Sequence, residues 1–200
     1  MIVNDHLYYI HIPRTGGRFF KEILPNEIEV PTFGECYNGI ERLHLHYPLY
    51  NECFDVKDME HFTIVRNPFD RFKSALKGPL EHTSMDFIFK NGFDAGLEMI
   101  SEVGKGRCNW FRPQHEFVSQ STHVWKFEDG LGDNFIKWVL DKFNVKLKAG
   151  KLWSDLLFSR CYPDIKIKSP YDYIVVPDSV NKYKSCVEEY YKKDFERFDY

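Results

Sequence analysis

The chain has 200 residues, 43% hydrophobic and 28% charged, which excludes a disordered or collagen-like polypeptide and fits one ordinary domain burying about 70% of its unfolded surface. Lys plus Arg number 27 against 30 Asp plus Glu, a net charge of −3, so nothing points to a general nucleic-acid binder. No run approaches the roughly 18 apolar residues of a membrane helix, Asn4, Asp5 and His6 interrupt the region a signal peptide would need, and the five cysteines show no CxxC or zinc spacing; the expectation is one domain over residues 1–200, soluble and cytoplasmic, without a transmembrane segment or a metal.

The first predicted element is a strand over Leu7–Ile12, a short apolar and aromatic run. It meets the turn Pro13-Arg14-Thr15-Gly16-Gly17. Arg18–Leu24 then has helical spacing, with Phe19, Phe20, Ile23 and Leu24 on one face, and Pro25 stops it. A second unit begins at Phe62–Val65, an uninterrupted β-prone run of the kind buried on both faces. Asn67 suits the N-cap and Pro68 the first turn of the helix that follows. That helix carries Phe69, Phe72, Ala75 and Leu76 inward and ends near Gly78-Pro79.

A third strand is predicted at His123–Phe127. It leads through Glu128-Asp129-Gly130 into a helix with Phe135, Ile136, Val139, Leu140 and Phe143 on its inner face. From about Ser179 one long helix is expected, because Val180, Tyr183, Val187, Tyr190, Tyr191, Phe195 and Phe198 recur at three- and four-residue steps. Strands alternating with helices imply an α/β fold, a parallel sheet flanked by helices. Ligands of such sheets sit beyond the carboxyl ends of the strands. Two segments with chemistry in them leave that edge, Pro13–Phe20 and Arg66–Ser74.

In the first segment, glycines let backbone N–H groups approach phosphate oxygens. Thr15 adds a hydroxyl, and Arg14 and Arg18 add charge. The G-x-x-x-x-G-K-S/T loop of nucleotide kinases is absent. A Thr-Gly-Gly turn is equally often structural. In the second segment, Arg66 is placed to grip a phosphate by a bidentate fork, with the Ser74 hydroxyl as a further donor. Taken alone, Arg66 paired with a carboxylate and a solvated Ser74 would explain it as well.

Together the two segments resemble a family. Tyr9-Ile10-His11-Ile12-Pro13-Arg14-Thr15-Gly16-Gly17 resembles the 5′-phosphosulfate loop of sulfotransferases, H-I-P-K-T-G-G-T-S. Ile64-Val65-Arg66-Asn67-Pro68-Phe69-Asp70-Arg71-Phe72-Lys73-Ser74-Ala75 resembles their 3′-phosphate motif, V-R-N-P-F/Y-D/E-R-x-x-S-A. The likeness is to the carbohydrate branch that includes heparan sulfate 2-O- and 6-O-sulfotransferases and small bacterial relatives. Further along, Arg112-Pro113-Gln114, Trp125-Lys126-Phe127-Glu128-Asp129 and the stretch Tyr190–Tyr200 are similar to later segments of small members.

The resemblance implies a P-loop-like α/β fold. It implies 3′-phosphoadenosine 5′-phosphosulfate (PAPS) as sulfuryl donor, and a carbohydrate or similar hydroxyl as acceptor. It places Arg14, Thr15, Gly16, Gly17, Arg18, Phe19, Arg66 and Ser74 at the nucleotide, with Lys168 and Ser169 where relatives close a loop over it. It also implies a histidine base from Leu43-His44-Leu45-His46. His46 is the first choice and His44 the second, on the expectation that both lie on one face of an extended segment; a structural histidine is the rival reading for each. Two departures stand out. Arg14 replaces the family lysine, keeping the charge but not a transferable proton. Arg18-Phe19 replaces Thr-Ser, removing two hydroxyl donors. These departures keep a second class in view, a non-catalytic nucleotide- or glycan-binding protein of the same fold.

Overall fold

A computed structural model describes residues 1–25, 28, 31, 35–77, 92, 93, 96, 108–147, 176 and 178–200. In chain order, strands β1 (Ile2–Asn4) and β2 (Leu7–Ile10) are followed by helix α1 (Gly17–Ile23). A small hairpin, β3 (Cys36–Tyr37) with β4 (Ile40–Glu41), runs into a 3₁₀ turn at Arg42–His44 and helix α2 (Leu49–Phe54). Then come β5 (Glu60–Val65) and α3 (Pro68–Leu76), and later β6 (His123–Lys126) and α4 (Asp133–Phe143). The last elements are a 3₁₀ turn at Asp178–Tyr183, α5 (Lys184–Tyr190) and α6 (Lys192–Phe198).

The main sheet has the order β1-β2-β5-β6. β2, β5 and β6 are parallel, as the alternation of elements predicts, and β1 adds an antiparallel edge. Side-chain alternation along β2 builds two layers at once. Leu7 and Tyr9 face a cluster with Phe19, Phe20 and Ile23 of α1, Phe62 and Ile64 of β5, and Phe135 and Val139 of α4. Tyr8 and Ile10 face the other way, toward Tyr50 of α2, Val65, Phe117 and Phe198 of α6. A third cluster joins Phe72, Ala75 and Leu76 of α3 to Phe111, Val187 and Tyr191. The structure is therefore mixed α/β, a small, mostly parallel sheet flanked by helices.

Three expectations are corrected. The first strand pairs with β5 only from Leu7 to Ile10, because the chain leaves the ladder two residues early to enter the Pro13 turn. Leu140 is 39% exposed rather than inward; Phe135 and Val139 are buried on that face, with Ile136 and Phe143 packed against them. The long C-terminal helix is broken at Tyr191, which has φ −100° and ψ 19°. The break turns the Tyr191 hydroxyl onto the Phe111 carbonyl at 2.7 Å and the Asp194 carboxylate onto the Gln114 and His115 backbone amides at 2.7 and 2.8 Å. A straight helix would forgo one of these contacts.

Candidate functional site

The turn after β2 and the start of α3 meet at the carboxyl end of the sheet. Arg14 has a left-handed backbone, φ 70°, a conformation that costs a non-glycine residue about 1–3 kcal/mol and recurs at functional sites. Its Nε donates to Ser74 Oγ at 3.1 Å across 60 residues of chain. Its guanidinium also lies 5.5 Å from the centroid of the Trp110 ring. The two segments singled out in the sequence are thus joined through one residue of each.

The other turn residues serve packing. The Thr15 hydroxyl donates to the Ile12 carbonyl at 2.9 Å, closing the turn, and the side chain is fully buried. Gly16 is left-handed, φ 104°, and a Cβ there would come within 2.7 Å of Leu131. A Cβ at Gly17 would come within 1.8 Å of His11 Nε2. The Phe19 side chain lies in the core at 4% exposure, which leaves only its backbone to face a nucleotide. The Arg18 side chain, Lys168 and Ser169 lie outside the described residues.

Gly17→Ala is expected to eject the His11 ring, whose centroid otherwise lies 4.7 Å from that of His44. Overpacking of this kind costs about 1–3 kcal/mol. A thermal midpoint lower by roughly 2–10 °C should follow, with most of it restored by adding His11→Ala. An unchanged midpoint for the single variant would remove this contact from the account.

Arg66 leaves β5 with its backbone held on both sides by Gln114. The Arg66 amide donates to Gln114 Oε1 at 3.0 Å and its carbonyl accepts from Gln114 Nε2 at 2.8 Å. Asn67 caps α3 through the Phe69 and Asp70 amides, with Pro68 in the first turn, as predicted. The Arg66 guanidinium lies 4.8 Å from the Phe127 centroid. Burial pushes its pKa down. Its Nε is a buried donor with no hydrogen-bond partner among the described residues, and Trp110 Nε1 is another. Buried orphan donors are uncommon, and a ligand oxygen is one way to satisfy them.

The two histidines do not share a face. His44 ends the 3₁₀ turn, buried, with Nδ1 2.5 Å from Glu41 Oε2. Its ring meets that of His11 at 4.7 Å and that of Trp110 at 6.4 Å. His46 packs against Phe117 instead, with its Nδ1 3.5 Å from Asn109 Nδ2. Burial, and then the nearby Arg112 charge, hold the His46 pKa below its usual 6.5. A 3₁₀ turn advances about 120° per residue against roughly 180° in an extended chain, and His44 ends such a turn, so the two histidines meet different neighbours. Through the shared Trp110 contact, His44 is the histidine that the structure gathers with Arg14.

Sequence reasoning assigned no role to Arg71, Glu41 or Asn109. Arg71 is 1% exposed and donates to the carbonyls of Pro13, Trp110 and Arg112 at 2.9, 3.1 and 3.0 Å. Asn109 donates to the His44 carbonyl at 2.7 Å and accepts from Arg112 Nε at 2.7 Å. The position of Arg71 inside the quoted motif was the available clue. Among the described residues no group of His, Cys, Asp and Glu is arranged to hold a metal ion, and no helix is long and apolar enough to cross a membrane. Compared with protein-family models, curated proteins and solved structures, the chain matches none.

Proposed function

We propose that the chain moves a sulfuryl group from PAPS to a hydroxyl of a carbohydrate or similar acceptor, with the β2–turn–α1 unit acting as a P-loop-like phosphate cradle. The observation that carries this reading is the Arg14–Ser74 hydrogen bond, which unites the segments resembling the 5′- and 3′-phosphate motifs. The fit of a nucleotide rests on the orphan Nε of Arg66 and on the cationic Arg14, bonded to Ser74 of the same 66–74 segment. The packed glycines and the inward Thr15 hydroxyl contribute shape rather than side-chain donors.

PAPS is the donor substrate and supplies an activated sulfuryl group. Arg66 and Ser74 bind the 3′-phosphate by charge-assisted hydrogen bonds. Arg14 offsets charge on the departing 5′-phosphate; it does so as a fixed cation and not as a proton donor. His44, held at Nδ1 by Glu41, takes the acceptor proton at Nε2. His46 is the runner-up base.

The test is calorimetry with the full chain. Adenosine 3′,5′-bisphosphate should bind about 10- to 100-fold more tightly than AMP, since hydrogen bonds to charged groups contribute roughly 1.5–3 kcal/mol. Arg66→Met should erase the difference. Equal affinities in the unaltered protein would overturn the phosphate assignment. Turnover of labelled PAPS over a panel of sugar acceptors distinguishes an enzyme from a nucleotide- or glycan-binding protein.

A further inference from the structure

Two carboxylates lie close enough to Arg66 to act on its charge, Asp70 and Glu128. Neither has a hydrogen bond to the guanidinium. Asp70 Oδ1 faces Lys73 Nζ at 2.8 Å. Glu128 is bonded at both oxygens: Oε1 accepts from the Asn67 amide at 2.8 Å, and Oε2 accepts from the Tyr200 hydroxyl at 2.7 Å. The Tyr200 ring is itself seated by Lys126, whose Nζ lies 4.8 Å from its centroid and donates to the Asp199 carbonyl at 2.7 Å. Burial, and then the bond to Glu128, push the Tyr200 phenol pKa up, so it stays protonated and remains a donor. Lys126, the cation seated on the Tyr200 ring, is already engaged with the Asp199 carbonyl. A Glu128 carboxylate released from Tyr200 therefore has Arg66 as its available partner.

We propose that Tyr200 is a positioning residue for the anion site at Arg66: its hydroxyl holds Glu128, and so keeps that carboxylate from turning onto the guanidinium. The proposal rests on the reading that Arg66 receives a phosphate. It assigns Glu128 a conditional role. Held, it steadies the start of α3 through the Asn67 amide; released, it competes with the incoming phosphate. A purely structural Tyr200 would give no such dependence on the charge of residue 128.

Binding of adenosine 3′,5′-bisphosphate is measured by calorimetry for the full chain, Tyr200→Phe, Glu128→Gln and the double variant. Tyr200→Phe should weaken binding about 3- to 10-fold, the scale of a partly exposed ion pair in competition. Adding Glu128→Gln should return affinity to within about twofold of Glu128→Gln alone. AMP binding should not change in any of them. A Tyr200→Phe protein within twofold of the unaltered chain overturns the proposal, and so does a double variant as weak as Tyr200→Phe.

A second measurement needs no nucleotide. A double-mutant cycle between Arg66→Met and Glu128→Gln, read by urea unfolding, should show little coupling in the unaltered background. With Tyr200→Phe the coupling should reach about the same 3- to 10-fold in the unfolding constant. If the unaltered chain does not bind the bisphosphate, the phosphate reading fails while this cycle still decides whether Tyr200 restrains Glu128. Equal coupling in both backgrounds overturns the restraint whatever the nucleotide does.

Discussion

Arg71→Ala is expected to lower folding stability by roughly 3–5 kcal/mol, because it removes three charge-assisted hydrogen bonds to backbone carbonyls. Arg71 is 1% exposed, and each of its three guanidinium nitrogens donates to a carbonyl from a distant part of the chain, Pro13, Trp110 or Arg112. Each bond from a charged donor contributes about 1.5–3 kcal/mol, and their simple sum overstates the loss because the neighbours relax. A loss of this size is a large share of a typical domain's 5–15 kcal/mol. Urea unfolding measures it directly. Arg71→Lys should recover only part, since one ammonium cannot span the three acceptors as a planar fork does. A loss below about 1 kcal/mol for Arg71→Ala would mean that water replaces the guanidinium and that the site does not depend on it.

The effect should reach function before it reaches unfolding. The Pro13 carbonyl opens the turn that carries Arg14, and the Trp110 carbonyl fixes the ring facing Arg14 and His44. Gln114 and Asp194 pin the same 110–115 segment from its other side. Loosening one hub therefore displaces both halves of the candidate site together.

The parallel strands were legible because strands buried on both faces need continuous apolar runs, and Phe62–Val65 is one. Asn67-Pro68 was legible because capping and the first-turn proline are local chemistry. β1 was not legible: Ile2–Asn4 is three residues long, too short for periodicity to register. The break at Tyr191 escaped because apolar spacing continues through it. What interrupts the helix is the distant demand of the Phe111 carbonyl and the Gln114 and His115 amides, and no local pattern records that. The same holds for Arg71, which looks like a surface charge on an amphipathic helix until its three acceptors arrive from elsewhere. The separation of His44 from His46 followed a 3₁₀ turn that the alternating Leu-His pattern disguised as a strand.

That separation sets up the remaining expectation, which belongs to the sulfotransferase reading. His44→Ala should lower turnover by about 10²–10⁴-fold, the usual worth of general-base assistance, while affinity for adenosine 3′,5′-bisphosphate stays within about twofold. The argument lies in the tautomer. Glu41 is 4% exposed and meets Nδ1 at 2.5 Å; a carboxylate there holds the proton on Nδ1 and leaves the Nε2 lone pair to receive another. As that proton arrives, the buried carboxylate stabilises the imidazolium. Glu41→Gln should therefore lower turnover less than His44→Ala but far more than nucleotide affinity, which marks Glu41 as a positioning residue. His46, against Phe117 and Asn109, has no carboxylate hydrogen-bonded to its ring among the described residues. His46→Ala should change turnover by less than about tenfold, an effect of shape rather than proton transfer. Steady-state rates with labelled PAPS across these three variants decide the matter. If His46→Ala proves the severe one and His44→Ala the mild one, the base is the first choice of the sequence analysis, and the Glu41–His44 pair is a structural contact beneath it.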